Sequence, residues 1–315
     1  MKKIDEFLNN VKTVCITGHV HPDGDCAGST LGLYNYIVSN YPDLSVDIYL
    51  DNPTDKLSFL ASFDKVNVKY DKDEAYDIMF VLDSATLDRV GKAEKYFKKA
   101  KYTVNIDHHV SDIGFADEDF VVSDSSSASE VVFDMMDYEK INQDVAICLY
   151  TGILYDTGVF KYSSTSSKTM EIVSKLMKFD IPTAFIIDES FYAKTYNENR
   201  IYGYAILKSK LHFDGKVISS FITKEEMKEF DVTTKELDGI VSQLRLTLGV
   251  ECSVFMYELV DGNCKLSLRS SEYLDVNEIA NCFGGGGHVR ASGATLKGNI
   301  EECVQKVLDE VEKRI

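Results

Sequence analysis

Four short segments of this sequence gather carboxylates and imidazoles where an apolar stretch ends. Gly18-His19-Val20-His21-Pro22-Asp23-Gly24-Asp25 follows the apolar Thr13–Thr17, and Val81-Leu82-Asp83-Ser84 closes a second apolar run. Asn105-Ile106-Asp107-His108-His109 closes a third, and Tyr155-Asp156-Thr157-Gly158 ends an apolar stretch with helical spacing. Taken singly these are ordinary: Asp-Gly-Asp makes turns, an aspartate like Asp83 caps helices, and paired histidines are often structural. Together, in this order and at element ends, they point to one site. Carboxylate and imidazole without thiolate suit Mn²⁺, Fe²⁺, Co²⁺ or Mg²⁺ better than a structural zinc. Carboxylates that converge without cations repel one another and resist ionisation, and divalent cations remove that conflict.

The elements that must position these residues divide the chain in two. In the first half, Thr13–Thr17, Val46–Leu50, Asp77–Leu82 and Val104–Ile106 read as buried strands. Between and after them, helical spacing recurs at Leu31, Tyr34, Ile37, Val38 and Tyr41, and over Glu94–Lys101, Ala128–Met136 and Val145–Leu154. Strands separated by helices indicate a parallel sheet covered on both faces, with ligands bound outside the carboxyl ends of the strands. The second half has hairpin signals at Asp214-Gly215, between Lys210–Phe213 and Lys216–Ile222, and at Asp261-Gly262, between Glu251–Val260 and Cys264–Arg269. Helical patterns cover Thr234–Leu248 and Ile300–Arg314. The fold class is therefore α/β: a doubly wound, mainly parallel N-terminal domain over 1–183 and a smaller mixed α+β C-terminal domain over 209–315. A helical run, Ala184–Leu207, links them across 184–208, and the active site is expected in the cleft between the domains.

Bulk composition narrows the partners. A net charge of −17 over 315 residues disfavours a groove for long nucleic acid, but bound cations can still draw in a short anion. The seven cysteines are odd in number and form no C-x-x-C pair, which argues against disulfides and thiolate zinc; Cys26 reads as packing. No apolar run reaches the ~18 residues of a membrane span, and the acidic N-terminus lacks a signal core, so a cytoplasmic protein without a membrane partner is expected. Oligomeric state is left open, a homodimer included.

These motifs resemble the DHH phosphoesterase superfamily, named for the run present here as Asp107-His108-His109. Gly284-Gly285-Gly286-Gly287-His288-Val289-Arg290-Ala291-Ser292-Gly293 looks like the signature of the DHH-associated C-terminal domain, so the resemblance spans nearly the whole chain. It is similar to the stand-alone subgroup of nano-RNases, 3′-phosphoadenosine-5′-phosphate phosphatases and cyclic-dinucleotide phosphodiesterases. The resemblance implies two divalent ions, Mn²⁺ first among them, with Mg²⁺, Co²⁺ or Fe²⁺ as alternatives. It implies His19, Asp23 and Asp83 as ligands of one ion and Asp25, Asp83, His108 and Asp156 as ligands of the other, Asp83 bridging. It further implies that Asp107 accepts a hydrogen bond orienting a ligand, and that His109 faces the substrate phosphate. Arg269, Gly285, Gly286, Gly287, His288 and Arg290 would hold the nucleotide; His21 takes no role and belongs on the loop surface. Ser292 stands where many relatives carry Ala, and the glycine run begins one residue early.

The implied function is hydrolysis of short oligoribonucleotides, such as linear pApA, and of 3′-phosphoadenosine 5′-phosphate. A cyclic-di-AMP phosphodiesterase is the alternative of the same class, and a non-catalytic nucleotide receptor the alternative of another. Every expected metal ligand is present, which favours an enzyme. The basic Ser-Arg-Lys-Lys cluster of type II pyrophosphatases is missing, and the chain has no room for the added domains of a RecJ-like exonuclease.

Overall fold

A computed structural model describes residues 1–73 and 75–315, which separate into two units, Met1–Ala193 and Lys194–Ile315. In the first unit, β1 (Thr13–Gly18), β2 (Ser45–Tyr49), β3 (Ile78–Leu82), β4 (Thr103–Asp107) and β5 (Glu118–Val121) form a sheet in the order β2-β1-β3-β4-β5. Every pairing is parallel. Successive side chains of a strand alternate faces. Val14, Ile16, Ile78, Phe80, Leu82, Val104 and Ile106 accordingly enter one core, while Cys15, Met79 and Val81 enter another with Tyr49, Tyr70, Tyr76 and Tyr96. Both faces are covered, which is why these strands read as continuous apolar runs.

The helices of this unit are α1 (Ile4–Phe7), α2 (Gly24–Asn40), α3 (Glu94–Phe97), α4 (Ala128–Met135), α5 (Gln143–Thr157), α6 (Ser167–Leu176) and α7 (Thr183–Ile187). The larger core lies under α2, α4 and α5. Helices α2 and α5 cross closely: a Cβ built on Gly28 would stand 2.5 Å from the Cys148 carbonyl oxygen. The chain leaves β1 towards β2 on one side and returns to β3 on the other. The strand order thus reverses between β1 and β3, the switch point where open α/β sheets bind ligands.

The second unit holds β6 (Lys210–His212), β7 (Val217–Ile222), β8 (Cys252–Glu258), β9 (Asn263–Ser270), β10 (Gly286–His288) and β11 (Ala291–Lys297), in the order β10-β11-β9-β8-β7-β6. Both hairpins expected from Asp-Gly turns form, with Asp214, Gly215 and Gly262 in left-handed conformations. The pair β7–β8 is parallel, a crossover that holds α9 (Lys224–Glu229) and α10 (Ile240–Arg245). The remaining helices are α8 (Tyr196–Leu207), α11 (Val276–Asn281) and α12 (Ile300–Glu312); β9, α11 and α12 share one core, α8 and α10 the other.

Two helical runs read from the sequence are broken. Ala184–Leu207 is interrupted by a π-turn at Asp188–Tyr192 and an extended Ala193. Thr195 then starts α8 with a reciprocal cap: the Glu198 amide donates to Thr195 Oγ1 at 3.1 Å and the Thr195 amide to Glu198 Oε2 at 2.6 Å. Ile201 and Ala205 bury α8 in the second unit's core, so it is more than a link. Thr234–Leu248 is split by Gly239, whose left-handed backbone (φ 84°) ends one turn and starts α10. Among the described residues no helix is long and apolar enough to cross a membrane.

Candidate metal centre

His19 leaves β1 at the switch point. Its Nδ1 lies 2.8 Å from the Val20 carbonyl oxygen, which takes the Nδ1 proton and leaves the Nε2 lone pair for a ligand. Asp23 caps α2, one oxygen accepting from the Asp25 and Cys26 amides at 3.0 and 3.1 Å. The same oxygen is 3.8 Å from His19 Nε2, and the Asp23 side chain is about half exposed. Asp25 is fully buried. Its two oxygens accept from the Ala128 and Ser129 amides, at 2.6 and 3.0 Å, in the first turn of α4, where aligned peptide dipoles favour a negative charge.

Asp83 follows β3 in a left-handed conformation (φ 53°), with its amide tied to the Ile106 carbonyl at 3.0 Å. One carboxylate oxygen is 3.4 Å from His19 Nε2 and the other 3.5 Å from His108 Nε2. Asp156, in the last turn of α5, brings Oδ2 to 3.0 Å from His108 Nε2, and Asp25 Oδ2 is 3.9 Å away. Donors that share an ion at about 2.1 Å stand roughly 3.0–3.5 Å apart, which is the spacing across Asp83. Among the described residues, three groups each bring their donor atoms within 4.8 Å of one another: His19–Cys26–Asp83, Asp83–His108–His109 and Asp25–His108–Asp156. Cys26 behaves as filler all the same. Its buried thiol turns towards the His19 carbonyl at 3.9 Å, and burial, reinforced by Asp83 and Asp23, pushes its pKa well up.

The electrostatics show what this cluster needs. Burial, then the charges of Asp83 and Asp156, hold the Asp25 carboxyl well above the usual range, and burial raises Asp156 as well. Burial alone would lower both His19 and His108. The bonds to Asp23 and Asp83 outweigh it and carry His19 to about 10, and those to Asp156 and Asp83 carry His108 to about 11. Burial would likewise raise Asp83, but the two imidazolium partners win and depress it. Protonated imidazoles thus hold positive charge where clustered carboxylates demand it, and divalent cations fit that demand with the same oxygen and nitrogen donors.

Asp107, expected to orient a metal ligand, orients His109. Its oxygens meet His109 Nδ1 at 2.8 Å and the His109 amide at 3.1 Å. That bond, opposed by burial, raises the His109 pKa. Behind it, Asn105 Nδ2 donates to Asp112 at 2.6 Å and to Asp119 at 3.2 Å, a layer that the sequence reading missed. His21 is exposed, with a left-handed backbone. Val159 and Phe160, just after Asp156, are also left-handed (φ 58° and 63°). For such residues this conformation costs on the order of 1–3 kcal/mol each, and strain of this kind collects at functional sites.

The sequence reading also missed the α4 amides, although the run Ser125-Ser126-Ser127 before an apolar helix is an N-terminus signal. Their fit around Asp25 depends on Gly152 of α5. A Cβ there would stand 2.0 Å from Ser129 Oγ and 2.7 Å from Asp25 Oδ1. We expect Gly152→Ala to displace both and to weaken binding of a divalent ion, with Mn²⁺ as the probe, by roughly tenfold or more, at a stability cost of about 1–3 kcal/mol. Unchanged Mn²⁺ affinity by calorimetry would show that the contact is dispensable.

In the second unit, the half-buried Arg269 on β9 lines a cavity of about 170 Å³ with Asp238, Tyr257 and Ser267, and donates to the Leu268 carbonyl at 2.9 Å. Burial lowers its pKa, Asp238 opposing and Arg245 adding to the effect. Gly286, Gly287 and His288 form β10, at the sheet edge with His288 exposed, whereas the Gly285 amide is committed to the Ala280 carbonyl at 3.0 Å. Arg290, expected to hold the nucleotide, spends its guanidinium on backbone: Nη1 donates to the Leu274 carbonyl at 2.9 Å and Nη2 to that of Glu272.

Residues 13–153 match the DHH family, N-terminal domain, and residues 214–315 the DHHA1 domain. The chain is 32% identical over 286 residues to a protein of Streptococcus mutans named probable bifunctional oligoribonuclease and PAP phosphatase NrnA, covering 90% of this chain and 89% of that one. Bifunctional oligoribonuclease and PAP phosphatase NrnA of Thermus thermophilus is 29% identical, with 100% and 94% covered, and that of Bacillus subtilis 29% identical, with 90% and 89% covered. Among solved structures, an exopolyphosphatase-related protein from Bacteroides fragilis superposes with a TM-score of 0.85 at 28% identity, covering 98% of this chain and 94% of that one. With its aspartates and histidines gathered at the β1/β3 switch point, and with full-length relatives of this kind, the chain belongs to the DHH phosphoesterase family and carries a DHHA1 domain as its second part.

Proposed function

We propose that this protein is a two-metal phosphoesterase that hydrolyses short oligoribonucleotides and 3′-phosphoadenosine 5′-phosphate. The observation that carries this reading is Asp83, whose two oxygens face His19 on one side and His108 on the other. His19, Asp23 and Asp83 would hold one ion, and Asp25, Asp83, His108 and Asp156 the second; Mn²⁺ suits the donor set best. When bound, the ions supply positive charge for phosphoryl oxygens and lower the pKa of water at the site. The protein does the positioning. Val20 fixes the His19 tautomer, α4 anchors Asp25, and Asp107 holds His109 by Nδ1, so that its Nε2 is the group left for a phosphate oxygen or a leaving oxygen. The substrate class rests on the three relatives above, each named for both activities. The Mn²⁺-loaded chain should release mononucleotide from pApA and phosphate from 3′-phosphoadenosine 5′-phosphate; nucleotide binding without release of either product would make it a receptor.

The second unit would supply the grip on the nucleotide through Arg269, Gly286, Gly287 and His288, with Gly285 and Arg290 shaping the loop beside them. Remote binding energy both holds and positions the reacting phosphate. Arg269→Ala is therefore expected to lower kcat/KM for a dinucleotide at least about tenfold, or ~1.4 kcal/mol, and to leave bis-p-nitrophenyl phosphate hydrolysis nearly unchanged. Equal losses on both substrates would move Arg269 out of substrate binding.

A further inference from the structure

Glu130, in the first turn of α4, is wholly buried and lines no part of the metal cluster. Its Oε2 accepts from Ser126 Oγ at 2.7 Å and from Thr169 Oγ1 at 2.9 Å. Oε1 accepts no hydrogen bond, and the half-exposed Lys168 Nζ lies 3.7 Å from it. Thr169 belongs to the capping box that starts α6, and Ser126 to the loop that leads into α4. One carboxyl group therefore ties three pieces of chain together: the 125–127 loop, the first turn of α4 and the start of α6. An apolar side chain of similar volume would fill this space at less cost, because a buried ionisable group loses its hydration and here gains only two hydroxyl donors and one half-exposed ammonium at 3.7 Å. Stability alone does not account for it.

What the three pieces share is the N-terminus of α4, where Ser127 Oγ also accepts from the Glu130 amide at 3.1 Å. The next two amides, Ala128 and Ser129, are the pair that grips both oxygens of Asp25. Hydrogen bonds of 2.6 and 3.0 Å tolerate little movement, so a helix start displaced by an ångström would loosen both at once. We propose that Glu130 is a positioning residue for Asp25: with Ser126 and Thr169 it fixes the α4 amides that aim Asp25 at its ion. The inference rests on the two-metal reading above. Outer groups of this kind commonly change metal affinity by about 10- to 100-fold.

The test is Mn²⁺ binding by calorimetry and by electron paramagnetic resonance on the full chain, for wild type, Glu130→Ala, Glu130→Gln and the Ser126→Ala/Thr169→Val double variant. Wild type is expected to bind two ions. Glu130→Ala and the double variant should lose affinity for one of them by roughly tenfold or more and keep the other. Glu130→Gln retains an oxygen acceptor for both hydroxyls and should recover affinity to within about threefold of wild type. The double variant keeps the carboxyl group and removes its donors, together with the Ser166 amide's bond to Thr169 Oγ1 at the start of α6, so it decides the matter if Glu130→Ala does not fold. Two ions bound at wild-type affinity by Glu130→Ala or by the double variant, with only the melting temperature lowered, would overturn the positioning role. A wild-type chain that binds no Mn²⁺ would instead overturn the two-metal reading, and this inference with it.

Discussion

Asp83→Asn should reduce hydrolysis of pApA by at least about 10³-fold, some 4 kcal/mol, with saturating Mn²⁺ present. Asp83 is 2% exposed and stands between His19 and His108, at 3.4 and 3.5 Å. The amide removes the negative charge shared by both sites and turns one of the two facing oxygens into a donor, so one ion would lose its ligand atom and the other would keep only a neutral carbonyl oxygen. The fold should persist. Asn tolerates the left-handed backbone at this position as well as Asp does, and the amide bond to the Ile106 carbonyl is untouched. The check is a steady-state assay beside far-ultraviolet circular dichroism. Activity within tenfold of wild type would remove Asp83 from the bridge, and a lost dichroism spectrum would move the effect to folding.

Stripping divalent ions with a chelator should abolish turnover and also soften the first unit. Without cations, the raised carboxyls of Asp25 and Asp156 cost folding energy, which the protonated histidines offset only in part and bound ions would offset further. A site filled at about 100 times its dissociation constant stabilises by ~2.7 kcal/mol, and two such sites by roughly 5. For a unit of this size that is on the order of 10 °C in melting temperature. Differential scanning calorimetry of chelated protein, then of the same sample returned to excess Mn²⁺, should show the rise and its reversal. An unchanged Tm would mean that the ions bind weakly or not at all.

Local signals carried much of the architecture because their physics is short-range. A wholly apolar run marked β3, short runs that are mainly apolar marked β1 and β4, and Asp-Gly pairs marked both hairpins of the second unit. The break before α8 was equally local, since Thr195 and Glu198 cap that helix reciprocally; the run of good helix formers on either side outweighed it in the reading. The break at Gly239 needed a positive φ, which a glycine permits but does not demand.

The sequence by itself determined which residues leave the ends of β1, β3, β4 and α5, and so which carboxylates and imidazoles share a crevice once a parallel sheet forms. Spacing along a chain cannot say which oxygen faces which nitrogen. Tertiary structure decided that Asp83 straddles two histidines and that Arg290 ties down the carbonyls of Glu272 and Leu274. It also decided that Asp25 is gripped by α4 amides 103 and 104 residues away. These are hydrogen bonds between distant segments, formed only after helices have packed to within a glycine's width, and no local periodicity encodes them.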